Sequence, residues 1–138
     1  KLTFNYNQIS EVTPALSNLK KLQELSFYTN RLQTVPKGIY SLTELRYVDL
    51  YYNDIRSIDP AIGNMRGLHI LYLANNSLTS LPDELGHLKQ LRELYLHHNR
   101  LSFLPSTLSQ LIELQILRIN DNAFGTFPEV ILALQHLE

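Results

Sequence analysis

Tyrosines are the residues of this chain whose type and spacing most clearly suggest a chemical role. Tyr28 and Tyr51 are 23 residues apart, and Tyr72 and Tyr95 are separated by the same interval. A tyrosine ring offers a large, rigid contact surface with a polar tip, and tyrosine is enriched at the hot spots of protein interfaces. The repeated spacing predicts that these rings lie side by side on one surface.

The adjacent pair His97–His98 is a second candidate, because histidine can ligate a metal, act as a general base or change its charge near pH 6.5. A metal site needs three or four converging ligands, and only Glu93 and Asp121 lie at nearby positions of the repeat, while cysteine is absent. A general base needs a partnered nucleophile and a pocket, and neither is evident. The sequence therefore predicts no metal, no cofactor and no enzymatic activity, and it leaves pH-sensitive binding as a hypothesis.

Both groups are positioned by an internal repeat of 23 residues with the frame LxxLxLxxNxLxxLPxxLxxLxx. A fixed period of this length predicts a solenoid, in which each coil buries its apolar edge against its neighbours. The copies span residues 1–21, 22–44, 45–67, 68–90, 91–113 and 114–136. One asparagine recurs at the same place in every copy: Asn7, Asn30, Asn53, Asn76, Asn99 and Asn122.

This frame resembles that of leucine-rich repeat proteins, specifically the 23-residue type of intracellular Ras-group and Scribble-like proteins and of bacterial proteins, including leptospiral ones. The resemblance covers essentially the whole chain. It implies a curved solenoid that binds macromolecules. We therefore predict an α/β fold with about six repeats in a single domain, residues 1–138. This right-handed leucine-rich repeat solenoid would carry a parallel β-sheet on its concave face and short helical or 3₁₀ turns on its convex face.

The residues within each copy support the same elements. In the third copy Val48 and Leu50 alternate with outward residues, and this period of two predicts a short strand with one buried face. Identical spacing makes neighbouring strands parallel, with right-handed crossovers. In four copies a proline directly follows a predicted core position, the last of which is Phe127. These prolines predict short turns on the outer wall. In two copies the proline comes one residue later, as Pro14 and Pro60, which leaves the local wall geometry open.

The asparagine column follows each predicted strand, where the chain turns inward and backbone groups lose their strand partners. An asparagine amide both donates and accepts, so we predict that each one bridges to the backbone of the next coil.

The outward strand positions and the two residues after each strand define the concave face. Seven of the eight tyrosines fall there, and Tyr40 is the exception. Strand preference alone would explain part of this enrichment. Aromatic residues in the middle with a charged margin have the anatomy of a protein interface. We predict these partner-binding residues: Tyr28, Tyr47, Asp49, Tyr51, Tyr52, Ile70, Tyr72, Glu93, Tyr95, His97, His98 and Arg118.

The predicted function is a non-enzymatic interaction module that holds a protein or peptide on this face. Two alternatives stay open: a carbohydrate-binding surface, because tyrosines also stack on sugars, and a structural spacer of a larger scaffold or receptor. The net charge of −1, with acidic and basic residues mixed, argues against nucleic acid as a partner, because nucleic-acid-binding surfaces usually carry a stripe of basic residues. No apolar run reaches the ~20 residues of a membrane span.

The sequence also supports predictions about the two ends of the repeat array and about the cellular compartment of the protein. Apolar frame residues such as Leu2 and Leu137 have no polar capping coil beyond them, which predicts a piece of a longer array or ends covered by a partner copy. The oligomeric state stays open. The absence of cysteine and of a leader favours the cytoplasm.

Overall fold

Six short parallel strands form one sheet in a computed structural model that describes residues 1–138. The strands follow one another across the sheet in chain order, because each coil packs directly on the coil before it. Register partners such as Val48 and Leu71 are one repeat apart, so the sequence period sets the pairing. The strands are β1 (Leu2–Thr3), β2 (Glu24–Ser26), β3 (Tyr47–Asp49), β4 (Ile70–Tyr72), β5 (Glu93–Tyr95) and β6 (Ile116–Arg118).

The other side of each coil is a five-residue 3₁₀ helix, as predicted. The segment between one strand and the next is too short for a long helix, and each turn ends where a backbone N–H bonds the carbonyl three residues earlier. None of these helices has the length or hydropathy of a membrane-crossing segment. The 3₁₀ helices span Pro14–Asn18, Lys37–Ser41, Pro60–Asn64, Asp83–His87, Ser106–Gln110 and Glu129–Ala133.

The two prolines that come one residue later do not change the length of the 3₁₀ helices on the outer wall. Pro14 and Pro60 are the first residues of their 3₁₀ helices, whereas in the other copies proline precedes the helix. In these two copies a side chain caps the helix instead: Thr13 accepts from the Ala15 N–H at 3.3 Å, and Asp59 accepts from the Ala61 N–H at 2.8 Å.

The core lies between the sheet and the 3₁₀ helices, and it consists of the apolar frame positions. The strand centres Leu25, Val48, Leu71 and Leu94 are fully buried in one continuous cluster. The expectation for Phe127 was wrong, because this side chain is 61% exposed. It lies in the last coil, which packs against a neighbour on one side only. The prediction of a longer array stays a prediction.

Beyond the exposed Asn7, the asparagine column is buried or half-buried against the backbone, but it bridges in the direction opposite to the one predicted. The Asn53 Oδ1 accepts from the Leu32 N–H at 3.0 Å, and its Nδ2 donates to the Phe27 carbonyl at 3.0 Å. Both partners belong to the preceding coil. The Leu32 N–H of that coil has no backbone acceptor, and the Asn53 Oδ1 supplies one. The Asn53 backbone N–H itself donates to the Asn75 carbonyl of the following coil at 3.2 Å.

Candidate functional site

Strand alternation places the predicted site residues on the sheet face opposite the core. In β3 the centre Val48 is buried while Tyr47 and Asp49 are half-buried. The same pattern holds in β4 and β5. All twelve predicted residues lie on this concave face, and each is half-buried or exposed. Their side chains are therefore both supported by neighbours and available to a partner.

Rings flanking the strand centres form a first aromatic row, which we call the strand row. Tyr47 and Tyr72 meet edge to face with ring centroids 5.6 Å apart. Tyr72 and Tyr95 stack with centroids 4.4 Å apart. The row ends at Arg118, whose guanidinium carbon lies 6.0 Å from the centre of the Tyr95 ring. Offset and edge contacts of this kind are favourable and hold the rings in place.

Rings just beyond the strands form a second row, the rim row. Tyr28 and Tyr51 have ring centroids 5.6 Å apart, and Tyr51 continues to His97 at 5.6 Å. The Tyr51 hydroxyl also lies 3.3 Å from the His97 Nε2, although these residues are two repeats apart. Tyr52, which is 49% exposed, packs its ring 4.8 Å from Tyr51. The rim row thus connects repeats two to five.

Ala74 makes the contact between Tyr51 and His97 possible. It occupies the same position in the repeat between them and is completely buried. A larger side chain there would separate the two rings. Ala74 was not among the predicted partner-binding residues, and its only signal in the sequence is its small size in an otherwise polar and aromatic column.

A depression of about 440 Å³ lies between the two rows. Asp49 is the only charged residue in its lining. Its Oδ1 accepts from the Tyr51 N–H at 3.0 Å, and its Oδ2 accepts from the Ser26 hydroxyl at 3.1 Å and the Tyr47 hydroxyl at 3.4 Å. Burial raises the pKa of Asp49 above its ordinary value, against the opposing effect of these hydrogen bonds. The lining residues are Tyr28, Tyr47, Asp49, Tyr51, Tyr52 and Tyr72.

Ser26 is a second residue of this face that was not among the predicted partner-binding residues. It stands on an outward strand position, yet it is only 4% exposed. Its single hydroxyl proton is shared between the Asn5 Oδ1 at 2.6 Å and the Asp49 Oδ2 at 3.1 Å. A small hydroxyl side chain therefore links the first three coils beneath the tyrosine rings.

Burial raises the pKa values of four phenols on this face. The pKa of Tyr95 rises to about 12, first through burial and then through its hydrogen bond to Glu93 at 3.0 Å. Burial also raises the pKa of Tyr47 strongly, with the nearby Asp49 carboxylate adding to the effect. Burial likewise raises the pKa values of Tyr51 and Tyr72. These four hydroxyl groups are protonated at physiological pH and act as hydrogen-bond donors.

The histidine pair has two different environments. Burial, His98 and Arg118 lower the pKa of His97, in that order of importance. His98 is exposed, and its Nδ1 lies 3.6 Å from a carboxylate oxygen of Asp121. The structure brings together no group of three or more side chains suited to hold a metal ion. His97 is thus neutral near pH 7 and takes part in the rim row, so any pH-sensitive contact of His97 would change below the usual histidine range.

A column of left-handed backbone conformations follows the strands and was not predicted. Its six residues have φ between 52° and 58°, and none is glycine. This conformation turns the chain inward and sets the direction of the rim side chains Tyr52 and His98. It is unfavourable for most residues and most unfavourable for the β-branched Thr29. The column is Tyr6, Thr29, Tyr52, Asn75, His98 and Asp121.

Stacked coils with a parallel sheet on one side and 3₁₀ helices on the other define a solenoid repeat protein. The family model described as leucine rich repeat matches residues 43–101 and 66–124, a combined stretch of more than half the chain. The chain belongs to the leucine-rich repeat family. Its fold is a right-handed solenoid of about six repeats, and proteins with stacked repeats use their concave surfaces for binding.

Three solved structures illustrate the likeness. A leucine-rich repeat protein of Leptospira interrogans is 33% identical over 96% of this chain, with a TM-score of 0.93. An internalin of Listeria monocytogenes is 27% identical over 99% of the chain, with a TM-score of 0.86. The ectodomain of the receptor kinase GASSHO1/SCHENGEN3 of Arabidopsis thaliana, solved in complex with Casparian strip integrity factor 2, is 34% identical over 93% of the chain, with a TM-score of 0.84.

This chain spans 34%, 38% and 16% of the lengths of those three proteins, respectively. The predicted resemblance to bacterial, including leptospiral, leucine-rich repeat proteins is confirmed. No match was found among curated protein sequences.

Proposed function

We propose that this chain is a non-enzymatic module that binds a protein or peptide through its tyrosine-rich concave face. The observation that carries the proposal is the continuous contact of aromatic rings along the strand row and the rim row. Tyr72 and Tyr95, stacked at 4.4 Å, are its centre. Rings fixed by one another lose little conformational freedom when a partner binds, and such preorganisation favours affinity.

The composition of the face also supports a polypeptide partner. Half-buried tyrosines and Ile70 offer apolar area, and Glu93 and Arg118 add charge near the C-terminal end. An aromatic centre with a charged margin is the arrangement found at protein interfaces. One structural relative, the plant receptor ectodomain, was solved in complex with Casparian strip integrity factor 2. That complex supports the proposal of a polypeptide partner.

The test is the selection of ligands from a random peptide library displayed on phage, followed by calorimetric titration of the tightest ligands. The Tyr72→Ala/Tyr95→Ala double variant should bind them at least ~30-fold more weakly, which corresponds to about 2 kcal/mol at a hot spot. Circular dichroism must show the wild-type fold. Phe103→Ala is the matched control, because it removes a 56% exposed aromatic ring away from the strand and rim rows.

Ligands that bind the double variant as tightly as the wild type would contradict the proposal. So would a greater loss with Phe103→Ala than with the double variant. Failure to select any ligand would favour the structural spacer.

Carbohydrate binding is the remaining alternative. A glycan array probed with wild type and with the double variant separates it from polypeptide binding. Saturable binding of a glycan that depends on Tyr72 and Tyr95 would assign the face to sugars.

A further inference from the structure

The charge of Asp49 is uncompensated within the chain. The ion pairs within 4.0 Å are Lys1–Glu24, Glu44–Arg46 and His98–Asp121, and none includes Asp49. Its three hydrogen-bond donors are a backbone N–H and two hydroxyl groups, all of them neutral. Charged groups that are withdrawn from water are usually paired with an opposite charge. The position of Asp49 in an open depression leaves room for such a charge to come from a ligand.

Asp49 also keeps unused hydrogen-bonding capacity. A carboxylate offers about four acceptor sites. Oδ1 uses one of them for the Tyr51 N–H, and Oδ2 accepts from the Ser26 and Tyr47 hydroxyls. One site on Oδ1 therefore remains for a donor that enters the depression.

The walls of the depression are suited to a flat cation. All five other lining residues are tyrosines, whose ring faces attract positive charge. A guanidinium group is planar, stacks on aromatic faces and donates from five N–H groups, whereas an ammonium group is compact and strongly hydrated. The same concave face already holds one guanidinium carbon, that of Arg118, 6.0 Å from the Tyr95 ring centre.

We propose that the depression between the strand row and the rim row binds the guanidinium group of an arginine side chain on the bound polypeptide. Asp49 accepts one of its hydrogen bonds through the remaining site on Oδ1 and compensates its charge, and the rings of Tyr28, Tyr47 and Tyr51 enclose it. This assignment rests on the proposed function and specifies the chemistry of the ligand. The guanidinium is the counter-ion that the chain itself does not supply.

The first experiment titrates N-acetyl-L-arginine N-methylamide into the ¹⁵N-labelled chain and follows the amide signals by NMR. The Tyr51 amide is the internal reporter, because its N–H donates to Asp49. We expect a saturable shift of that signal. The matched citrulline derivative, which has the same shape without the charge, should bind about tenfold more weakly, since charge-assisted hydrogen bonds are roughly twice as strong as neutral ones. The lysine derivative should also bind more weakly than arginine.

The second experiment repeats the titration with Asp49→Asn, which keeps an acceptor oxygen for the Tyr51 N–H while removing the charge. We expect about tenfold weaker binding of the arginine probe. Asp54→Asn is the matched control, because it removes the same charge from an exposed residue of the same coil, and it should bind as the wild type does. The arginine and citrulline comparison on wild type tests the proposal even where Asp49→Asn fails to fold.

Several results would overturn the assignment: equal affinity for arginine and citrulline, equal affinity for lysine, or unchanged binding by a folded Asp49→Asn variant. Peptides selected on phage that require Tyr72 and Tyr95, together with no binding of the arginine probe, would reject this inference and leave the proposed function standing. Saturable arginine binding without any selected polypeptide would retain the guanidinium site and reject the polypeptide partner.

Discussion

Replacement of Asn53 by alanine tests the physical role of the asparagine column. This residue is 8% exposed and makes three strong side-chain hydrogen bonds to backbone, but they are not equally important. The Phe27 carbonyl also accepts from Asn30 at 3.0 Å, and the Leu50 carbonyl also accepts from Asn76 at 3.0 Å. Both carbonyls therefore keep one partner after the substitution.

The Leu32 N–H is different, because the Asn53 Oδ1 at 3.0 Å is its sole hydrogen-bond partner. Asn53→Ala leaves this one buried donor unsatisfied. The expected loss of unfolding free energy is therefore ~1–3 kcal/mol, the cost of one such group, rather than three times that amount. Asn53→Asp should cost more, because it directs a negative charge at the Phe27 and Leu50 carbonyl oxygens.

The assay is urea unfolding followed by circular dichroism, with Asn7→Ala as the control. Asn7 occupies the same frame position, but it is exposed and bonds only the carbonyls of Phe4 and Asn5 in its own coil. Water can satisfy those groups, so Asn7→Ala should change stability by less than about 0.5 kcal/mol. Equal losses for Asn7→Ala and Asn53→Ala would refute the reasoning, as would Asn53→Asp being as stable as the wild type.

Two further predictions concern the left-handed column and the histidine pair. Thr29→Asn should raise the unfolding free energy by about 1 kcal/mol, measured by the urea midpoint, because asparagine tolerates the φ of 56° that a β-branched residue disfavours. Asn75 already occupies the same position of the column two coils later, at φ 52°. An unchanged or lower midpoint would contradict this. Because the folded pKa of His97 lies below 6.5, the unfolded chain binds the extra proton, and stability falls as pH falls from 6.5 through the lowered value. The urea midpoint, measured as a function of pH, should fall in the wild type and fall less in His97→Gln. If the midpoints of the two proteins change with pH in parallel, His97 is not the cause of the fall.

Much of the fold follows from the sequence because the repeat acts locally and always at the same interval. Each apolar frame position meets its own equivalent 23 residues later, as the pairing of Leu71 with Leu94 illustrates. Alternation within three residues then decides which side chains face the core, so Tyr47 and Asp49 could be assigned to the concave face. The late Pro14 changes only how its 3₁₀ helix begins.

The two wrong predictions, the direction of the asparagine bridge and the burial of Phe127, have one physical cause. The repeat frame fixes the position of a residue along its coil but not its contacts with the neighbouring coils. The direction of the Asn53 bridge depends on which neighbouring coil presents a backbone N–H without a backbone acceptor, here Leu32. Phe127 matches the frame and is exposed because its coil has only one neighbour.

The sequence by itself determined the coil, the register, the core and the surface that carries the tyrosines, since all of these depend on periodicity alone. Only the tertiary structure decided how those side chains meet. Contact between Tyr51 and His97 requires a small residue, Ala74, in the coil between them. The burial of the Asp49 carboxylate results from tyrosine rings of three neighbouring coils that surround it, and the sequence does not show this arrangement. Such contacts depend on side-chain size and direction across one and two repeats, and no periodic pattern encodes them.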